Sequence, residues 1–206
     1  MAIDAVVILA GGSSRRFRAD KSHALLAGVP MLEWVARAAF AISERVVIAA
    51  RPGQELPLLA DLRRAEVVLD HRLDTGPMAG LEAAFTSLGG GRAFVIGVDA
   101  PLLVPGLALA VLQNLDGPEV AVAVPVVGGR RQPLVAAYDV TISLPALSLA
   151  LDRDERRILT VLDQLTVIEI AEADLREYDP ELRSFDNLNT PEALLAVEMR
   201  LRAASR

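Results

Sequence analysis

Short apolar runs alternate along this chain with longer amphipathic ones. The runs 5–9 (AVVIL), 44–50 (ERVVIAA), 65–70 (AEVVLD), 92–99 (RAFVIGVD) and 119–127 (EVAVAVPVV) are rich in Val, Ile and Ala. Runs apolar on both faces predict strands of a parallel sheet that is covered on each side. Between them, 30–42 (PMLEWVARAAFAI), 76–88 (GPMAGLEAAFTSL) and 105–115 (PGLALAVLQNL) carry apolar residues at helical spacing. Past residue 128 the pattern loosens. It predicts a turn and strand over 128–138, a helix over 154–165, a strand over 166–171 and a closing helix over 190–204. Thr190 suits the N-cap of that last helix, Pro191 its first position and Glu192 its positive end. Repeated β-then-α units predict right-handed crossovers and a three-layer α/β/α sandwich on a mostly parallel sheet. No repeat or low-complexity segment interrupts the pattern, so residues 1–206 read as one domain.

In such a fold, ligands sit beyond the carboxyl ends of the strands. The polar loops after Leu9, Asp70 and Val98 all open onto that edge. Composition narrows what they can do. The chain has no Cys, which excludes disulfides, cysteine nucleophiles and thiolate metal sites and suits a cytoplasmic protein. Net charge is −6, which argues against nucleic acid as a partner. No stretch approaches ~18 uncharged apolar residues, so no membrane span is expected, and the N-terminus lacks the basic start and long apolar stretch of a signal peptide. A basic cluster in an acidic chain is therefore informative.

That cluster follows the first strand: ILAGGSSRRFRADK, residues 8–21. Gly11 and Gly12 lack a Cβ, so consecutive N–H groups there can curl around an oxyanion. Lys21 adds a point charge, and Arg16 a planar fork suited to phosphate. The string is neither a Walker loop nor a Gly-x-Gly-x-x-Gly fingerprint. Asp99 stands where the apolar run AFVIGV ends, and Pro101 stops that ladder from continuing. Mg²⁺ asks for one or two carboxylates plus phosphate oxygens and water, a set Asp99 could anchor.

Residues 9–21, LAGGSSRRFRADK, resemble the LAGGxSxRMGxDK signature of the molybdenum cofactor guanylyltransferases. The resemblance extends through Asp70 and TGPMAGL (75–81), VDAPL (98–102), Gln132-Pro133-Leu134 with Tyr138, and FDNLNTP (185–191), in the family's order. It implies a Rossmann-like nucleotidyltransferase fold. It also implies transfer of GMP from GTP to Mo-molybdopterin with release of pyrophosphate, Mg²⁺ as cofactor, and passing contact with other molybdenum cofactor proteins. Under it, Leu9, Ala10, Gly11 and Gly12 hold the nucleotide through backbone groups. Arg16 and Lys21 sit on the triphosphate, Asp70 on the nucleoside, and Gly76 and Gly80 on the nucleotide. Asp99 holds the metal and, with Arg16 and Lys21, forms the catalytic set. Arg130, Gln132, Asn187 and Asn189 face the second substrate.

Simpler roles stay open for several of these residues. Asn187 and Asn189 flank Leu188 and point the same way if that stretch is extended; they also suit capping of the last helix. Gly76-Pro77 also suits a plain helix start, and Asp70 a plain loop. Arg131 is a further candidate for the acceptor, whereas Arg156 and Arg157 read as solvated. His23 and His71 have no spacing that marks a triad or a metal cage, and Trp34 reads as core. The chain departs from the family at Arg18, where glycine is usual, and at Ile48 and Ala50, where asparagine is common. These departures leave the nucleobase open. CTP or a sugar 1-phosphate as substrate, or a non-catalytic nucleotide-binding protein, are the alternatives.

Overall fold

The computed structural model describes residues 5–11, 21–57, 64–72 and 75–204. In chain order its elements are β1 (Ala5–Leu9), β2 (Leu25–Leu26), β3 (Val29–Pro30), α1 (Met31–Ile42), β4 (Val46–Ala50), β5 (Glu66–Leu69) and α2 (Pro77–Leu88). They continue as β6 (Arg92–Gly97), α3 (Pro105–Gln113), β7 (Val122–Val127), β8 (Arg130–Arg131), β9 (Val135–Asp139) and α4 (Val140–Asp152). The last are α5 (Ile158–Leu162), β10 (Val167–Ile170), α6 (Glu172–Leu175) and α7 (Pro191–Ala204).

The main sheet has the order β10-β7-β9-β6-β1-β4-β5, and β8 pairs with β7. β1 pairs in parallel with β4 and β6, β4 with β5, and β10 with β7. β9 runs antiparallel between β6 and β7, so the sheet is mixed but mostly parallel. All five residues of β1 are buried. Because strand side chains alternate between faces, Val6 and Ile8 enter one core with α1, α3 and Val197 of α7. Val7 and Leu9 enter a second core with α2, α4 and α5. These are the three layers the apolar runs predict.

The structure differs from the sequence pattern in several places. α4 has no counterpart among the predicted helices. Asp139 ends β9 and also caps α4, its Oδ1 accepting from the Ile142 amide at 3.0 Å, so no loop marks the boundary. Pro145 inside α4 further masks the helix, since proline forfeits an i→i−4 bond. The predicted helix 154–165 shrinks to α5: Asp154 is left-handed (φ 59°), and the Glu155 carboxylate takes the amides of Arg156 and Arg157. Finally, β2 and β3 form a small hairpin that the sequence pattern did not single out.

Candidate active site

Parallel pairing aligns the ends of β5, β4, β1 and β6 along one edge. There Leu9, Ala10, Gly11, Lys21, Gly76, Pro77, Gly97, Val98, Asp99 and Leu134 enclose a cavity of about 300 Å³. A short 3-10 turn, Lys21–His23, carries the lysine to this edge. Lys21 Nζ lies 3.2 Å from Asp99 Oδ2 and 2.5 Å from Asn189 Oδ1. The side chains of this ion pair are mostly shielded, 15% and 24% exposed, and so feel less solvent screening than a surface pair.

Asp99 is fixed through its backbone, its carbonyl accepting from Leu188 N at 2.7 Å, while Val98 N reaches Leu9 O at 3.1 Å. Its carboxylate folds back over Gly97. A Cβ at that position would lie 2.5 Å from Asp99 Oδ1, so the bare glycine leaves room for this placement. Across the cavity, α2 begins at Gly76 without a side-chain cap and with Pro77 in its first turn. Gly76 has φ 65° and ψ −147°, a conformation that residues with a Cβ avoid. The uncapped amides and dipole of a twelve-residue helix thus open onto a site that already holds a lysine.

A second pole lies three strands along the sheet from Asp99. Asp70, 8% exposed, follows β5 beside Arg51, which follows β4. A Cβ on Gly11 would meet Arg51 Cγ at 3.2 Å and Asp70 Oδ2 at 3.4 Å, so Gly11 keeps the passage between the poles narrow but open. At roughly 4.8 Å per strand, the Asp70 and Asp99 strand ends stand about 14 Å apart. Burial pushes the Asp70 carboxyl above its ordinary value, with Arg51 and then His71 pulling the other way. The ionised carboxylate therefore costs the folded state stability once pH exceeds the ordinary carboxylate value. Asp70→Asn is expected to raise Tm near neutral pH. The gain should vanish in acid, where both folded and unfolded chains are protonated, and grow as pH rises toward the raised folded value. Thermal unfolding from about pH 3.5 to about pH 7.5 checks the sign, and destabilisation at neutral pH would refute it.

Several residues singled out in the sequence occupy other positions. Gly12 and Arg16 lie outside the described residues, as does Arg18. The amides of Ala10 and Gly11 are turned into the sheet, both donating to Ala49 O (2.9 and 3.1 Å). Neither of these two amides is left for an anion, and both residues line the cavity. Gly80 is buried within α2 and does not line the cavity. A Cβ there would press on Leu9 Cδ2 at 3.2 Å and Ala49 Cβ at 3.3 Å, so its smallness serves helix-on-sheet packing.

On the far side of the cavity, Gly128 and Gly129 (φ 57° and 71°) turn β7 into β8 and put Arg130 on an exposed tip. Gln132 Nε2 donates to Arg130 O at 3.3 Å. Arg131 is neutralised instead by Asp163 (2.7 Å) and Glu169 (2.6 Å), so it is spent within the fold. Tyr138 is buried against Phe85, and its hydroxyl, pushed well up by desolvation, donates to Pro133 O at 2.7 Å. It therefore shapes the turn that brings Leu134 to the cavity. Asn187 and Asn189 do not share a face of an extended stretch. Asn189 N bonds Asn187 O at 2.9 Å, leaving Asn187 exposed and Asn189 on Lys21.

Sequence reasoning missed Gln54 and Arg72. Gln54 Nε2 donates to Ala10 O (3.1 Å) while its Oε1 accepts from Arg51 N (3.0 Å). Arg72 forks onto Glu82 of α2 (2.6 and 2.9 Å) and reaches Asp152 of α4 (2.8 Å), anchoring the chain just past Asp70. The Pro-Gly turn before Gln54 was the one local signal; nothing local marks the partners of Arg72.

A mostly parallel sheet between helices, with a lysine–aspartate pair and an open helix start at its carboxyl edge, has the form of an α/β nucleotide-binding site. Residues 6–167 match the model of the MobA-like NTP transferase domain, and the chain belongs to that family. It is 32% identical to a probable molybdenum cofactor guanylyltransferase of Natronomonas pharaonis, covering 95% of this chain and 96% of that one. It is 31% identical to the molybdenum cofactor guanylyltransferase of Desulfosudis oleivorans, covering 98% of each. Among solved structures, molybdopterin-guanine dinucleotide biosynthesis protein A of Archaeoglobus fulgidus superimposes with a TM-score of 0.81 at 27% identity, over 96% of this chain and 98% of that one.

Proposed function

We propose that this protein is a molybdenum cofactor guanylyltransferase, transferring GMP from GTP to Mo-molybdopterin. An oxygen of the molybdopterin phosphate forms a bond to the α-phosphorus of GTP. The bond from that phosphorus to the bridging oxygen breaks, and pyrophosphate leaves. Two polyanions must meet, so positioning and charge neutralisation supply most of the rate. The observation that carries the reading is the meeting of Lys21 and Asp99 at the carboxyl edge of the sheet, over a cavity faced by the start of α2. Lys21 and the α2 amides hold the triphosphate, Asp70 the nucleoside, and Leu9, Ala10, Gly11 and Gly76 the walls between. Arg130 and Gln132 stand on the acceptor side.

Asp99 would hold Mg²⁺. Among the described residues no three His, Cys, Asp or Glu side chains converge. A single strand-end carboxylate suits an ion that arrives with phosphate oxygens and water as most of its shell. When bound, Mg²⁺ supplies charge neutralisation between the phosphates. Among the described residues no helix is long and apolar enough to cross a membrane. The reading sets the reaction in the cytoplasm, with the whole chain acting as one catalytic domain.

The test is a calorimetric screen of GTP, CTP, ATP and UTP with Mg²⁺, followed by pyrophosphate release on adding Mo-molybdopterin. GTP is expected to bind tightest and to turn over only with the acceptor. A preference for CTP, in keeping with Ala50 in place of the family's asparagine, would reassign the nucleobase. Binding without turnover would leave a nucleotide-binding protein.

A further inference from the structure

We infer that Asn189 is a positioning residue for the nucleotide-binding lysine, rather than a contact for the second substrate. This rests on the functional reading above. Lys21 Nζ lies 2.5 Å from Asn189 Oδ1, a side chain 168 positions away in the chain. Among the described residues, the ammonium's other partner is Asp99, at 3.2 Å.

The two partners are not equivalent. Asp99 is an anion: pairing with it offsets the charge Lys21 would offer to a phosphate. Its carboxylate is also the group suited to a divalent ion, and a carboxylate engaged there has less to give the ammonium. Asn189 presents a neutral carbonyl. It orients the ammonium without cancelling its charge and competes little for a hard cation. A lysine on four flexible carbons loses about 2 kcal/mol of rotamer freedom when held. A neutral acceptor that restricts it before nucleotide arrives moves part of that cost out of the binding step.

Asn189 can do this because its own segment is fixed. Leu188 is 1% exposed in the core, and its amide holds the Asp99 carbonyl at 2.7 Å. Thr190 Oγ1 caps α7 by accepting from Ala193 N at 3.2 Å. Arg200 of α7 reaches back to Asp186 at 2.5 Å. One short stretch thus grips Asp99 by its backbone and Lys21 by a side chain, tying the two ends of the chain together at the nucleotide pole.

The test measures GTP binding by calorimetry in the absence of any acceptor, for the unaltered protein, Asn189→Ala, Asn187→Ala, Lys21→Ala and the double variant Lys21→Ala/Asn189→Ala. Asn189→Ala is expected to weaken GTP about tenfold, and Asn187→Ala to leave it unchanged. In the double variant the Asn189 change should add little to the loss from Lys21→Ala, because the lysine it positions is gone; a general structural defect would add in full. In steady state, Asn189→Ala should raise the KM for GTP and leave that for the pterin. Asn189→Leu, close in volume but without the acceptor, should behave alike and decides the matter if the alanine variant does not fold. Wild-type GTP affinity in these variants, with a raised pterin KM, overturns the inference and returns Asn189 to the acceptor side. If the unaltered protein binds none of the four triphosphates, the functional reading itself falls and the inference with it.

Discussion

Asp99→Ala is expected to lower kcat by about three orders of magnitude while leaving the fold intact. The backbone of Asp99, not its side chain, receives the Leu188 amide, so that clamp survives the substitution. Among the described residues the lost carboxylate, 24% exposed, pairs with a lysine that keeps Asn189, so the change in stability should stay within about 1–3 kcal/mol. Catalysis suffers far more, because one group both anchors the divalent ion and sits at the strand end where the phosphates must meet. The variant should also separate binding from chemistry. Metal-free GTP binding should hold or tighten, since a negative charge facing a polyanion has been removed, whereas the dependence on Mg²⁺ should disappear. Turnover within about tenfold of wild type would take Asp99 out of the mechanism.

Lys21→Ala is expected to weaken GTP binding about 10- to 100-fold, or roughly 1.4 to 2.8 kcal/mol. The ammonium is mostly shielded, with its side chain 15% exposed, so its attraction for phosphate is less screened than that of a surface lysine. The amides of Ala10 and Gly11 are committed to Ala49 and cannot take its place. Residual affinity should come from the start of α2 and from the Asp70 pole. Calorimetry with added NaCl provides the check: the variant should show a shallower loss of affinity with salt than wild type. Unchanged affinity would remove Lys21 from the triphosphate site.

How far the site could be read from the chain differs residue by residue. Asp99 was legible because an apolar run ending in Asp-x-Pro is a local pattern, and a parallel strand must end at the ligand edge. Lys21 was legible because a cation close behind a glycine turn has few other reasons to be there in an acidic chain. Gly80 was misplaced because a glycine early in a helix looks the same whether it meets a ligand or, as here, Leu9 and Ala49. Arg131 was misplaced because its neutralising partners, Asp163 and Glu169, come from distant segments. α4 was unmarked because Asp139 serves two elements at once and Pro145 disguises the helical period.

The sequence by itself determined the sandwich and its edge. Runs of Val, Ile and Ala can bury both faces only within a covered sheet, and the period of the intervening segments sets the covering helices. It also determined that Lys21, a carboxylate and bare glycines would gather at one end of that sheet. The tertiary structure alone decided how those groups are used: which amides pair across strands, which glycine is for packing, and which side chain holds the lysine. Periodicity and turn chemistry are written among neighbours along the chain. Hydrogen-bond commitment depends on strand register and on contacts such as Asn189 to Lys21, which exist only once both ends of the chain have packed against the same edge.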